Sequence, residues 1–504
     1  MNISEAIRKR ILKFLRLERL AGNPEGPEST FINDKGGLKA LEAAENRAWY
    51  IGDSNKLLAF YTGEEWGGRL AKDPLYNRNR ANYFWGISPN EAHIKRVHSG
   101  LPRAIVKTLV AAIGTPTIEV KGTDVDVAKL EKATKVKGIV AKRQLPLTLA
   151  EGWGAFKVNM NQGKGHPSVE FYEGKDVSFV VEEGETVGII YRDYYEQDGK
   201  NYVLFETRRV ENGDSIIEYE LFRLDRGDEL KPVALETLER FSGGLRAVRL
   251  PGYGKPFGVP CKLIDDPDNP GYGESVFAGR KDMFDDLDQS LSQRSQTSRV
   301  STPVEYYPAD TMKRGPNGET AFPHVYNRQF IQMDFEQYTQ EQLALVNQIL
   351  IGLLSPATIG IDVSKRDNAD AQREKEKITE MTRNDIMDPE AEILAELYML
   401  VIDAQEYIDK GLITPKPNLE VSVRYPQFAS PSFEGKSKAL LPVWNAGAMS
   451  DELFVEKLYG ETMGKKAKEE ELGRIKAKRK ESDPDTLFED LMKSNGETDG
   501  KANG

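Results

Sequence analysis

Four histidines, one cysteine and a dense run of aspartates are the residues through which this chain could do chemistry. A zinc hydrolase needs two histidines one helical turn apart around a glutamate, so that both rings reach one ion. His93, His98, His166 and His324 never take that spacing, and His93 and His98, five apart, fall on different sides of a helix. Cys261 alone makes neither a zinc ribbon nor a disulfide framework, which suits a reducing compartment. The closest phosphate-loop match is SPSFEGKS, Ser430 to Ser437, placed after a strand and before a helix. Ser430 replaces its first glycine, Pro431 removes an N–H from the cradle, and no second-metal carboxylate strand follows, so it reads as the start of a helix. Asp282, Asp285, Asp286 and Asp288 approach a DDxxD metal helix, but Gln289 stands where a last aspartate is needed and no second such helix appears. Asp282 and Asp286 share a face, where like charges repel. The plain reading is a solvated acidic face. No catalytic constellation, metal site or cofactor is expected, and the chain does not read as an enzyme.

The elements that carry these residues follow from periodicity. Residues 2–20 form an amphipathic basic helix, with Asn2 and Glu5 at capping-box spacing and Ile3, Ile7, Ile11 and Leu15 along one side. Leu101, Ile105, Leu109 and Ile113 share a helical face. From 152 to 224 alternating strands are broken by Glu183-Gly184, Asp198-Gly199 and Asn212-Gly213, an antiparallel meander. Residues 275–298 carry Phe277, Phe284, Leu287 and Leu291 as one narrow apolar stripe on a helix that is otherwise Asp, Ser, Gln and Arg. An insert at 301–335 precedes a second helix over 338–354, and 355–370 reads as a loop. A long helix runs over 371–409, kinked or divided at Asp388-Pro389, and a strand returns at 419–428. Helices fill 434–478, with Ser450 capping the second, and the last 26 residues are too polar to fold alone.

Bulk properties narrow the function classes. The 504 residues carry a net charge of −11 and 30% charged residues, the wrong balance for gripping DNA through its phosphates. No apolar run approaches the roughly 18–20 residues a membrane span needs. The charged N-terminus is not expected to be a secretory signal.

Four stretches, in this order, resemble the portal family of long-tailed, siphovirus-like bacteriophages. They are NPGYGESVFAGRKDMFDDLDQSLSQRSQ (269–296), LALVNQILIGLLSPATIGIDVSKRDNADAQREKEKITEMTRN (343–384), VSVRYPQF (421–428) and GAMSDELFVEKLYG with EEELGRIKAK (447–478). No single motif is specific; their order and spacing are, over about residues 45–478. Lys365 follows Ser364 where the family often has glycine.

The resemblance implies an α+β portal fold. Its parts would be a basic arm (1–40), a wing (41–270), a first stem helix (271–300), a clip (301–336), a second stem helix (337–354), a tunnel loop (355–370), the long kinked helix with its return strand (371–433), crown helices (434–478) and a tail (479–504). It also implies a dodecameric ring at the capsid vertex of the virion, assembled in the host cytoplasm. Double-stranded DNA would pass through it, and the large terminase, a head–tail adaptor, the major capsid protein and scaffold would be partners; no membrane is involved. Asp282, Asp285, Asp286 and Asp288 would line or approach the lumen. Thr358, Ile359, Ile361, Asp362, Val363, Ser364, Lys365 and Arg366 would form the constriction facing DNA. Tyr306, Tyr307, Lys313, Arg314 and Tyr326 mix aromatic and basic side chains suited to a terminase or adaptor contact. The alternatives are another ring-forming virion protein of the tail or baseplate and, from a different class, a nucleotide-dependent enzyme using 430–437.

Overall fold

A computed structural model describes residues 34–62, 94–160, 163, 165–182, 185–224, 230–242, 244, 247–269, 271–300, 313–314, 320–321, 335–361, 369–414, 416–426, 433–459 and 463–481. Residues 1–33 of the basic arm and the C-terminal tail beyond residue 481 lie outside them. The chain divides into two units, Met1–Pro426 and Gln427–Gly504.

The first unit opens with α1 (Asp34–Ile51) and α2 (Ser54–Thr62), followed by α3 (Leu101–Ile113). α3 forms where the apolar spacing requires it, and Leu101, Ile105, Leu109 and Ile113 are all buried. Pro102 sits in its first turn, where a missing N–H costs nothing, and Gly114 ends it with a positive φ. Next come β1 (Thr117–Lys121), α4 (Val127–Thr134) capped by the Asp126 side chain, α5 (Val136–Ile139), a π-turn (Val140–Gln144) and α6 (Leu145–Glu151).

The strand region is two sheets rather than one meander. β2 (Trp153–Asn159) and β3 (Ser168–Glu173) pair with each other, and β2 pairs on its other edge with β10 (Gly258–Lys262), a strand the periodicity did not reveal. β4 (Val177–Glu182), β5 (Glu185–Gln197), β6 (Lys200–Glu211), β7 (Asp214–Leu224) and β8 (Leu230–Val233) form the meander proper, with β9 (Val248–Leu250) also on β7. The reason for the split is burial. Trp153, Ala155, Phe156 and Val158 of β2 are almost wholly buried, as are Gly154 and Lys157 between them, so this strand is covered on both faces. The hairpins at Asp198-Gly199 and Asn212-Gly213 are two-residue loops with positive φ at both positions, as the sequence predicted.

The two sheets are tied by a buried charged group. Glu206 accepts from Lys157 at 3.0 Å and from Arg208 Nε at 2.7 Å, and Arg208 also donates to the Val158 carbonyl at 2.6 Å. Tyr191 donates its hydroxyl proton to the Phe156 carbonyl at 2.6 Å. Each charge is met, which is the condition for burying it at tolerable cost.

Two helices follow, α7 (Lys281–Val300) and α8 (Glu336–Leu350), with the short strands β11 (Lys313–Arg314) and β12 (Thr320–Ala321) paired between them. A one-turn helix α9 (Pro356–Ile359) leads to α10 (Ala369–Lys410), 42 residues and roughly 63 Å at 1.5 Å per residue. α10 continues through Pro389 as one helix. Its second half carries the buried stripe Ile393, Leu394, Leu397, Val401 and Ala404, packed on α3 and the β10–β2 edge. β13 (Glu420–Arg424) returns to pair antiparallel with β1, Thr117 opposite Arg424, closing a loop of some three hundred residues. Every strand pairing among the described residues is antiparallel, and with helices segregated from the sheets the fold is α+β.

The second unit is a cluster of α11 (Phe433–Asn445), α12 (Asp451–Tyr459) and α13 (Lys465–Glu481). Phe454, Val455 and Leu458 make its core, and Trp444 stacks on Phe454 with centroids 4.5 Å apart. Ser450 caps α12 by accepting from the Leu453 N–H at 3.2 Å.

Candidate functional site

The α7–α8 pair carries most of the residues singled out from the sequence. The approach to α7 is fixed first. Gly273 lies so close to the Gly152 carbonyl that an added Cβ would sit 2.3 Å from it. Ser275, two residues on, donates to the Ala150 carbonyl at 2.6 Å and accepts from the Phe277 N–H at 3.0 Å, while the Val276 N–H bonds the Leu149 carbonyl at 3.0 Å. The G-x-S segment is therefore a joint clamped to the end of α6. Because this joint turns through Gly279, α7 begins at Lys281 rather than at 275, and Phe277 is buried from the turn instead of from the helix.

α7 and α8 run antiparallel. Arg280 donates to the Ile349 carbonyl at 3.1 Å and the Ile351 carbonyl at 3.3 Å. Farther along α7, Ser290 accepts from Gln342 at 3.3 Å and Arg294 donates to Gln342 at 3.1 Å. Phe284 and Leu287 turn to the core, with Phe284 against Trp49 at 5.8 Å between centroids, while the seam between the helices is polar. α8 ends at Leu350, earlier than its apolar periodicity suggested, because Ile351 is already non-helical and Gly352 takes a positive φ.

The four aspartates do not form one face. Asp282 and Asp286 are exposed one turn apart, and Asp285 is half-buried. Asp288 is buried, contacting His98 Nδ1 at 2.5 Å and accepting the Ser99 N–H at 2.8 Å. Ser292, one turn on, accepts the Val97 N–H at 2.8 Å, so residues 97–99 are strapped along α7. The expectation of a solvated acidic face including Asp288 is corrected: its carboxylate is consumed inside the subunit. Neither the sequence spacing of Asp288 nor that of His98, 190 residues away, signalled this pair. Partial burial holds Asp286 above the usual carboxylate range, with Asp282 and Glu341 adding repulsion.

The segment expected to be a loop from 355 to 370 starts as structure. Ser355 caps α9 by accepting the Ala357 N–H, its own N–H bonds Thr379 Oγ1 at 2.9 Å, and Thr358 meets the same hydroxyl at 2.9 Å. Ile359 and Ile361, expected to face DNA, are half-buried and pack against the subunit's hydrophobic core. Asp362, Val363, Ser364, Lys365 and Arg366 lie outside the described residues. So do Tyr306, Tyr307 and Tyr326; Lys313 and Arg314 form β11, opposite Ala321 and Thr320.

Among the described residues no group of three or more His, Cys, Asp or Glu side chains is placed to hold a metal ion, and no helix is long and apolar enough to cross a membrane. Cys261 is fully buried, and burial pushes its thiol well above its ordinary pKa.

No family model matches the chain, and no curated protein matches it. Among solved structures it is similar to a chain from the neck of an empty GTA particle, at 12% identity and TM-score 0.41 over 69% of this chain and 87% of that one. A second, from the virion of a native gene transfer agent particle, is 12% identical with TM-score 0.41 over 70% of this chain and 86% of that one. A third, from the neck of a native GTA particle computed with C12 symmetry, is 12% identical with TM-score 0.35 over 71% of this chain and 89% of that one. Likeness at this level carries no argument about what the chain does.

Proposed function

We propose that this chain is the portal subunit of a tailed-phage-like particle, assembling into a ring whose axial channel passes double-stranded DNA during packaging and ejection. The observation that carries this is the order of elements around the α7–α8 pair: a clamped joint, an antiparallel pair flanking an insert, a short capped helix, and the 42-residue helix that returns β13 to β1. The order accords with the parts the resemblance implies: wing, stem, clip, tunnel loop, wing again.

A translocating channel must avoid tight phosphate contacts, because each Lys or Arg on a phosphate adds a salt-dependent grip. Asp282 and Asp286, exposed together with Glu341 on the neighbouring helix, suit a wall that repels the backbone and keeps DNA centred. Leu343 at the side of α8, Ile351 just past it, and Ile378 and Met381 on α10 are exposed large apolar side chains, suited to burial between copies of the chain. The insert would meet terminase and then the adaptor, with Tyr306, Tyr307, Lys313, Arg314 and Tyr326 as anchors. Residues 362–366 would supply the constriction.

The test is packaging by a variant lacking residues 362–366, which spares the core-anchored Ile359 and Ile361. Rings should form, with DNA packaging or retention impaired. Normal packaging would remove the loop's role, and absence of rings from the unaltered protein in the presence of capsid and scaffold would remove the portal reading itself.

A further inference from the structure

Below the turn that joins α3 to β1 lies a cavity of about 190 Å³ that no part of the channel reading uses. Its walls are mostly apolar, with Val110 and Ala111 from α3, Ile118 from β1, Val140 from the π-turn and Leu394 from α10. Five polar side chains also line it: Thr115, Lys137, Glu390 and Tyr398 of α10, and Tyr425 just past β13.

Glu390 is 1% exposed. Its Oε2 accepts from Gln144 Nε2 at 2.8 Å, but its Oε1 has no hydrogen-bond partner, and neither do the hydroxyls of Tyr398 and Tyr425. Buried polar atoms are nearly always satisfied, so three such atoms on one largely apolar cavity suit a ligand that carries a hydroxyl. The local backbone is also unusual. The Leu145 N–H reaches back five residues to the Val140 carbonyl, a π-turn that places the buried Gln144 against Glu390. Such turns are rare and recur at functional sites. Burial pushes the Glu390 carboxyl up to about 8, with the Gln144 hydrogen bond acting the other way, so it is protonated at neutral pH. Gln144 already donates to Oε2, which leaves the acid proton for Oε1. Lys137, also at the wall, is held by Glu131 at 2.8 Å and is not waiting for an anion.

We propose that this cavity binds a small uncharged ligand of the phenol or aromatic-alcohol class. The ring would lie against Ile118, Val140 and Leu394. Its single hydroxyl would accept a hydrogen bond from the Glu390 Oε1–H and donate one to the Tyr425 oxygen, meeting both groups with one atom. The size is right, since an engineered apolar cavity of about 150 Å³ takes benzene. A carboxylate ligand would bring its charge to a buried carboxyl, with the wall's cation, Lys137, already paired to Glu131.

The experiment is ligand-observed NMR titration of the full chain at pH 7 with phenol, toluene and benzoate. Phenol should bind saturably, toluene at least about tenfold more weakly because it leaves both groups unmet, and benzoate not at all. Glu390→Leu should weaken phenol about tenfold or more. Ala111→Phe, on an exposed position at the cavity wall, should abolish binding without touching the core. Its melting temperature reports whether the fold survives. Failure of phenol to saturate the folded protein, equal binding of phenol and toluene, or unchanged binding by a folded Ala111→Phe variant would each overturn the assignment. So would a high-resolution structure with phenol present in which water alone bridges Glu390 and Tyr425.

Discussion

Asp288 and Asp282 belong to the same acidic run and do unlike work, and the difference is measurable. Asp288→Ala removes the acceptor for His98 and for the Ser99 N–H in a buried setting, and should cost about 1–3 kcal/mol. Asp282→Ala, on an exposed position, should stay within about 0.5 kcal/mol of the parent. Urea unfolding of the two variants side by side decides it. Equal effects would mean that the strap along α7 contributes nothing. The residue scale also gives a pH dependence. Glu390 and Glu151 both have carboxyls raised to about 8, chiefly by burial. An acid whose folded-state pKa is raised binds its proton more tightly in the folded state. Its contribution to stability is therefore full below about pH 4.5 and fades as the pH rises toward 8. Glu406 works in the opposite sense: held near 2 by Lys416, Thr414 and Lys410 despite some desolvation, it loses its contribution only in acid. Stability should fall between about pH 4.5 and 8, and Glu390→Gln should flatten part of that fall. A Glu390→Gln variant with an unchanged slope would show that Glu390 does not titrate across this range.

At the scale of elements, the periodic segments were legible and the joints between them were not. The α3 stripe, the Asp198-Gly199 and Asn212-Gly213 hairpins and the Ser450 cap could be read directly, because each is a local rule acting on a few neighbouring residues. β10 escaped notice because GVPCK is five residues long, contains proline, and is fixed as a strand only by pairing with β2. The beginning of α7 was misplaced because Ser275 and Val276 bond α6, more than a hundred residues earlier, and no local pattern records that. Of the candidate site, the helix pair was foreseen, whereas the burial of Asp288 and the core packing of Ile359 and Ile361 were not, since both depend on tertiary neighbours. Two substitutions test the joints. Ser275→Ala, losing a bond to the Ala150 carbonyl and another from the Phe277 N–H, should cost about 1–3 kcal/mol in urea unfolding. Gly213→Val forces a β-branched residue to a φ of 82° and should cost at least about 1–2 kcal/mol. A neutral result for Ser275→Ala would mean that the joint is held by backbone contacts alone.

For the whole molecule, the surface is as informative as the core. The chain carries a net charge of −11, leaves Leu343, Ile351, Ile378 and Met381 exposed, and threads its longest helix back to the strand next to where the fold begins to close. A single copy gains nothing from showing those apolar side chains to water; a ring of copies can bury them. Replacing Ile351 and Met381 together with serine should leave the subunit's melting temperature nearly unchanged while weakening assembly, because both side chains are exposed in the single chain. The central claim is tested most directly by the assembly state of the purified full chain, by native mass spectrometry with negative-stain imaging. The account predicts closed rings, of about twelve copies by the family resemblance, with a central hole wide enough for duplex DNA. A monomer or dimer at micromolar concentration that stays so after capsid and scaffold proteins are added would contradict it.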